Sequence, residues 1–339
     1  NLSAVDGGYT DSSSAIENEV IINGGSITYM VTGGFGRIEA NNNKVTINGG
    51  SVKYVEGGNG NGGSATGNSV IINSGTIGEV VDGNIYGEIL GGYGSGDSAT
   101  NNTVTINDGN IIANVIGGDS HGNASNNIVT ITGGHISGYV LGGSTYKEGT
   151  ASNNTVNWKD GDIQGNIYGS AVYSYVEDTY TPVKNNGGTF NVYHNSSTAK
   201  TISAGKSIAG FDNMNFYLSG NIKAEDIIID NSAGNAVDMD GVSVSLQNDP
   251  EKTLTSELMQ GEKIYLIKKT EGSIDSKIVP LTANGMDYDF EVSTTDDSLI
   301  AKALSDQKQN PDPDPGTEPD NPGTDPDNPG TEPDNPGTE

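Results

Sequence analysis

Residues 1–202 repeat with a period of about 25 residues. Self-similarity at 20 to 50 residues restricts a chain to a solenoid, a propeller or a similar array. The repeat aligns on a small residue ahead of each apolar stretch: Ala15, Ala40, Ala65, Ala99, Ala124, Ala151 and, more loosely, Lys184. Successive spacings are 25, 25, 34, 25, 27 and 33 residues. A short strand signal follows each of the first six, from Val20, Val45, Val70, Val104, Val129 and Val156. A second follows a Gly-containing turn, starting at Ile27, Val52, Ile77, Ile111, Ile136 and Ile163 and closing at Val31, Val55, Val81, Val115, Val140 and Ile167.

Short β-branched runs with period-2 alternation, punctuated by Gly, Asn and Asp, are strand signals, and no 3.6-residue period competes with them. The fold class is therefore all-β, with each unit of about 25 residues forming one coil of a parallel β-helix. Coils stack about 4.8 Å apart. Val20, Val45, Val70, Val104, Val129 and Val156 then form one inner ladder, and Ile22, Ile47, Ile72, Ile106, Ile131 and Trp158 a second. The intervening residues, including Thr46, Thr105, Thr130 and Asn157, point outward. Asn23, Asn48, Asn73 and Asn107 fall at one turn, where amides of successive coils can hydrogen-bond. The pairs Gly24-Gly25, Gly49-Gly50 and Gly133-Gly134 supply a positive-φ corner. The 34-residue unit carries a second strand-end pattern across 82–92, read as an insertion of about one strand.

Composition agrees with a thin, repetitive core. The chain holds 50 glycines, 32% hydrophobic residues, no cysteine and a net charge of -28. Such acidity repels nucleic acid and anionic membrane at long range, so neither is an expected partner. Without cysteine there are no disulfides, thiolate metal sites or thiol catalysis. No apolar run is long enough for a membrane-spanning helix, so no membrane insertion by this segment is expected. A first residue that is Asn1, with no signal segment, fits a processed or excised piece.

From residue 203 glycine thins and longer strands are expected near 211–218, 226–230, 242–247, 262–268 and 287–292. Residues 203–304 read as terminal coils and a β-rich cap over the last open strand edge. Residues 305–339 read as a disordered, acidic, Pro-rich linker: from Pro311 onward there are nine prolines, nine acidic residues and no Lys or Arg. That composition buries no core and stays extended.

The repeats containing Asn101-Asn102-Thr103-Val104-Thr105-Ile106-Asn107, with Ile-Gly-Gly and Leu-Gly-Gly ends, resemble passenger domains of adhesin-like Gram-negative autotransporters. So do the stretches 208–218, 261–267 and 288–292. The resemblance spans about residues 15–304. It implies a right-handed β-helix, secretion and display at the outer membrane by a downstream β-barrel translocator, and a role in adhesion or aggregation. The residues themselves favour a structural or adhesive role at the bacterial cell surface, toward a host, bacterial or glycan ligand, without catalysis. Two other readings stay open: a carbohydrate-active β-helix enzyme, lyase or hydrolase, and a wall-anchored Gram-positive adhesin.

Candidate chemistry is weighed against membership of a repeat slot. Gly96-Asp97-Ser98 is a protease-like tripeptide, yet Ser98 shares the slot of Ser64, and a triad is recognised by geometry. His121, His135 and His194 are scattered, and His135 shares the slot of Ser26, Ser51 and Thr76. Residues 91–97 partly imitate a calcium β-roll repeat, but at the wrong period. Glu56, Asp82, Asp108, Asp119 and Asp160 occupy different slots, which argues against a catalytic groove. No cofactor, metal or catalytic residue is expected. The ligand-binding candidates are Tyr86, Tyr93, Tyr146, Tyr168, Tyr173 and Tyr175, rigid rings flanked by Gly, Ser and Asn that suit sugar stacking or a protein interface.

Overall fold

A computed structural model describes residues 2–304 and 308–309, apart from 147–148, 185, 196–197, 221, 256–257 and 284–285. The expected linker at 305–339 therefore lies almost wholly outside the described residues. Those described form an all-β, parallel β-helix of about nine coils, spaced about 26 residues apart. No helix is present among them, and so none that crosses a membrane.

Both inner ladders form in register. Val20, Val45, Val70, Val104, Val129 and Val156 stack, and continue through Phe190, Met214 and Val244. Ile22, Ile47, Ile72, Ile106, Ile131 and Trp158 stack likewise, and continue through Val192, Phe216 and Leu246. The alternation holds: Val45 and Ile47 are buried while Lys44 and Thr46 face outward. Ala15, Ala40, Ala65, Ala99, Ala124 and Ala151 pair in a second sheet, which ends there. Lys184 has no place in it; its ammonium instead pairs with the Asp238 carboxylate.

Two asparagine ladders run along the shaft. The outer one is at the expected turn, with Asn48 donating to Asn23, Asn73 to Asn48 and Asn107 to Asn73 at 2.7–2.8 Å. Thr132 takes over as donor to Asn107 at 2.8 Å. The second ladder lies inside the helix and comprises Asn18, Asn43, Asn68, Asn102, Asn127 and Asn154; all but Asn18 are fully buried. From Asn43 onward each amide oxygen accepts two hydrogen bonds from the preceding coil: Asn102 Oδ1 takes the backbone N–H of Asn68 at 2.9 Å and its Nδ2 at 3.0 Å. The amide nitrogens from Asn43 to Asn154 also each reach an alanine carbonyl, as Asn102 Nδ2 does that of Ala65 at 3.0 Å. A buried amide thus has its hydrogen bonds met, as the low-polarity interior requires.

Local sequence sets up this inner ladder. The residue before each buried asparagine adopts positive φ, as at Asn42 (55°), Gly67 (68°), Asn101 (57°), Asn126 (57°) and Asn153 (54°), a conformation asparagine tolerates better than most residues. A glycine about ten residues earlier faces the amide; a Cβ on Gly92 would stand 2.5 Å from Asn102 Oδ1. The Asn-Asn doublet and the Gly-Gly doublet are two halves of one device.

The insertion in the third unit corrects the expected ladder. Val81 does not close the second strand's inner row; it is 41% exposed. Residues 79–81 pair antiparallel with 84–86 in a hairpin turned by Asp82 and Gly83, both at positive φ. Ile89 fills the inner slot, paired with Val55 and Val115. The protrusion is thus 79–86, not 82–92.

Both the alanine sheet and the inner asparagine ladder stop in the sixth coil. The stacked rings of Phe190 and Phe211, 4.8 Å apart, then fill the interior. At the C-terminal end Lys200–Thr201, Ile227–Asp230 and Lys263–Ile267 pair in parallel, and the order continues antiparallel through Ser298–Ala303, Met286–Thr295 and Lys277–Ala283. The last of these carries Pro280 and Lys277, residues that blunt a sheet edge.

Candidate functional site

The strand that carries Val55, Ile89, Val115, Val140 and Ile167 inward presents its next residues outward. Glu56, Leu90, Ile116, Leu141 and Tyr168 stack there in successive coils. Outward apolar residues would be open to water, but Ile167–Ser174 continues into an arm whose return strand, Thr179–Pro182, pairs back on it. Leu90, Ile116, Leu141, Tyr168 and Ala171 form a small second core, flanked by Tyr93, Tyr139 and Tyr180.

Three elements bring tyrosines to the rim of this core. Tyr93 comes from coil four. His121 and Tyr146 lie two residues past the Tyr93 position in coils five and six, and Tyr173 and Tyr175 come from the arm. The His121 and Tyr146 rings are 4.3 Å apart, and Tyr146 lies 5.7 Å from Tyr173 and 4.8 Å from Tyr175. His121 Nε2 is 3.3 Å from the Tyr93 hydroxyl and 3.2 Å from that of Tyr175. With Val172, Ser174 and Val176, His121, Tyr146, Tyr173 and Tyr175 line a cleft of about 600 Å³.

Of the six tyrosines singled out from sequence, four meet here: Tyr93, Tyr146, Tyr173 and Tyr175. Tyr168 is only 7% exposed and belongs to the second core, as a wall rather than a contact. Tyr86 sits on the 79–86 hairpin with its ring 5.3 Å from the Lys53 ammonium. From the sequence His121 stands only as a scattered histidine, and Tyr139 and Tyr180 are not among the ligand-binding candidates. The arm's return strand carries no repeat signal, and so gave no hint that Tyr180 folds back over Tyr139, 5.3 Å away.

Carboxylates underlie the tyrosines. Asp119 accepts from the Ser144 hydroxyl at 2.5 Å and the Tyr146 hydroxyl at 3.2 Å. Burial nevertheless raises its pKa to about 6. Glu56 accepts from Asn59 at 2.9 Å; burial, with Asp6 and Asp119 adding repulsion, lifts it to about 7. Glu88 accepts from Tyr180 at 3.4 Å, and burial, with Asp119 and Glu56 nearby, lifts it to about 8. The Tyr93 phenol is pushed to about 12, and that of Tyr146 well up, chiefly by burial. Glu56 and Asp119 occupy different slots, as the sequence indicated, with Glu88 in a third, yet neighbouring coils bring the three close enough to repel one another. Slot membership alone does not separate acids when coils are only about 5 Å apart.

The other motifs have structural places. Ser98 shares its strand position with Ser64, whose hydroxyl is 3.2 Å away. His135 aligns with Asn110 and pairs with Asp162 at 2.8 Å on the exposed face. His194 is buried with Nδ1 3.0 Å from the Ser219 carbonyl, and burial lowers its pKa. Gly91 and Gly92 admit the backbone of the next coil and the Asn102 amide. Among the described residues no three His, Asp or Glu side chains group as a metal site.

No family model, curated protein or solved structure matches this chain.

Proposed function

We propose that this chain is a surface-displayed, structural and adhesive β-helix, carried outside a bacterial cell and binding its ligand at the tyrosine cleft without catalysis. The observation that carries this reading is the cleft itself: four aromatic rings, two from the coils and two from the arm, held by ring-on-ring contacts. Pre-ordered aromatic side chains lose little entropy on binding and offer large contact areas. A repetitive shaft with paired ladders suits a stalk, and its acidity resists self-association. On this reading a translocator barrel lies downstream, and the wall-anchored alternative is distinguished by a sorting signal in that place.

The buried carboxylates favour one second reading, a polysaccharide hydrolase or lyase, since raised carboxyl pKa values suit acid catalysis. Against it, Glu56 and Asp119 are nearly fully covered, and Glu56, Glu88 and Asp119 are each engaged by a neighbouring side chain. The test is binding of the purified chain to host cells, bacterial cells and a glycan array, alongside incubation with a panel of polysaccharides. The adhesive reading expects saturable binding that falls at least about tenfold with Tyr175→Ala, equivalent to about 1.4 kcal/mol, and no sugar release. Release of oligosaccharides, abolished by Asp119→Asn, replaces it with the enzymatic one.

A further inference from the structure

We propose that the tyrosine cleft recognises an alkylated ammonium group, such as a choline-like headgroup or a methylated amine, rather than the face of a neutral sugar. The inference rests on the adhesive reading for the premise that the cleft binds a ligand at all.

Ring geometry is the first ground. Tyr173 stands nearly perpendicular to both Tyr146 (86°) and Tyr175 (83°), with centroids 5.7 and 5.2 Å away. A pyranose stacks on one open face, whereas a tetrahedral ammonium presents the same methyl-covered surface to walls set at right angles. Val172 and Val176 add apolar lining that suits methyl groups.

The second ground is that the phenol hydroxyls are already committed. Tyr146 donates to Asp119 at 3.2 Å, Tyr173 donates to Asp178 at 2.5 Å, and the Tyr175 hydroxyl lies 3.2 Å from His121 Nε2. A sugar gains much of its specificity from hydroxyl partners, and of the lining residues only Ser174 adds another side-chain hydroxyl, which already accepts the Glu177 N–H at 3.3 Å. An alkylated ammonium asks for π faces instead.

Charge is the third ground. A carboxylate that accepts a hydrogen bond from a phenol enriches the ring in electron density and strengthens its attraction for a cation. Both Asp119 and Asp178 do this, on two of the three tyrosine walls. Among the described lining residues none is Lys or Arg. Lys147 and Glu148, beside Tyr146 in sequence, lie outside the described residues. A net charge of -28 draws cations toward the shaft from a distance.

The test titrates the intact chain with choline, with its uncharged isostere 3,3-dimethylbutanol and with neutral oligosaccharides, following tyrosine ring resonances. Choline is expected to bind several-fold more tightly than the isostere, as a solvent-exposed cation–π contact allows. Tyr173→Ala should abolish the choline shifts. Asp178→Asn, at an exposed position that leaves the ring in place, should weaken choline several-fold and leave the isostere unchanged. Equal affinity for choline and isostere, or no choline binding, overturns the proposal. Neutral oligosaccharide binding at the cleft without choline binding defeats this inference and leaves the adhesive reading standing; silence from every ligand, with no cell binding, removes both.

Discussion

At the scale of single residues, the two asparagine ladders look alike in sequence but differ in what they hold. Asn102 is fully buried, and removing its amide strands the Asn68 backbone N–H, the Asn68 side-chain N–H and the Ala65 carbonyl. Each stranded buried group costs roughly 1–3 kcal/mol. Asn102→Ala should therefore destabilise the chain by about 3 kcal/mol or more, read as a lowered urea midpoint. Asn73→Ala, in the exposed outer ladder, should cost less than about 1 kcal/mol. Equal losses would mean that the inner ladder has no special structural weight. Sequence reading found the outer ladder because those asparagines end the strands. It passed over the inner one, although the Asn-Asn doublets at 42–43, 101–102, 126–127 and 153–154 were in plain view, because a run of amides inside a core contradicts the usual polarity rule unless every partner is counted.

Glu56 poses the same question for charge. Its folded pKa, about 7, exceeds the ordinary 4.5, so the native state favours the protonated form. Its contribution to stability is present below pH 4.5 and is lost as pH rises through 7, by up to about 1.4 kcal/mol per pH unit. Glu56→Gln should therefore leave stability near neutral change in acid and raise it by up to about 3 kcal/mol above pH 7, relative to the parent. Urea midpoints at both ends of that window check the sign; a gain confined to acid would refute the assignment.

Among elements, the repeats were legible and the departures from them were not. Strands of coils one to six appear where the apolar period puts them, because each residue's inward or outward place is fixed by its neighbours above and below. The hairpin at 79–86 escaped, since Val81 and Ile89 both satisfy the pattern and only the close approach of Gly78 and Gly87 selects between them: a Cβ on Gly87 would lie 2.5 Å from the Gly78 backbone. The arm that closes the second core escaped for a related reason, as it belongs to one coil only. Ile89→Ala removes a side chain with no exposure and should cost roughly 2–5 kcal/mol. Val81→Ser, on the exposed hairpin, should stay within about 0.5 kcal/mol. Thermal unfolding of the two variants distinguishes the inner slot from the outer one, and the reverse order would restore Val81 to the ladder.

Over the whole molecule, the arm at 167–182 aside, coils touch chiefly their neighbours, so stability is close to a sum of coil terms and interfaces between coils. The interfaces dominate here: every junction in the first six coils carries two apolar rows, an alanine pair and an inner asparagine, whereas a lone coil of about 25 residues buries little. Strong coupling makes the stack unfold as one unit, and weakening one junction should divide it. Trp158, the only tryptophan, lies buried in the sixth coil and reports on that region alone. In the parent chain its fluorescence and the far-UV circular dichroism should change together across a urea titration. Asn43→Ala weakens the junctions of coil two, several coils away from Trp158, and should separate the two signals: part of the strand signal is lost at lower urea while the Trp158 transition stays near its original midpoint. Coincident curves shifted together in the variant would show instead that the coils cooperate across the full length of the shaft, so that the loss of one amide is felt at the tyrosine cleft as well.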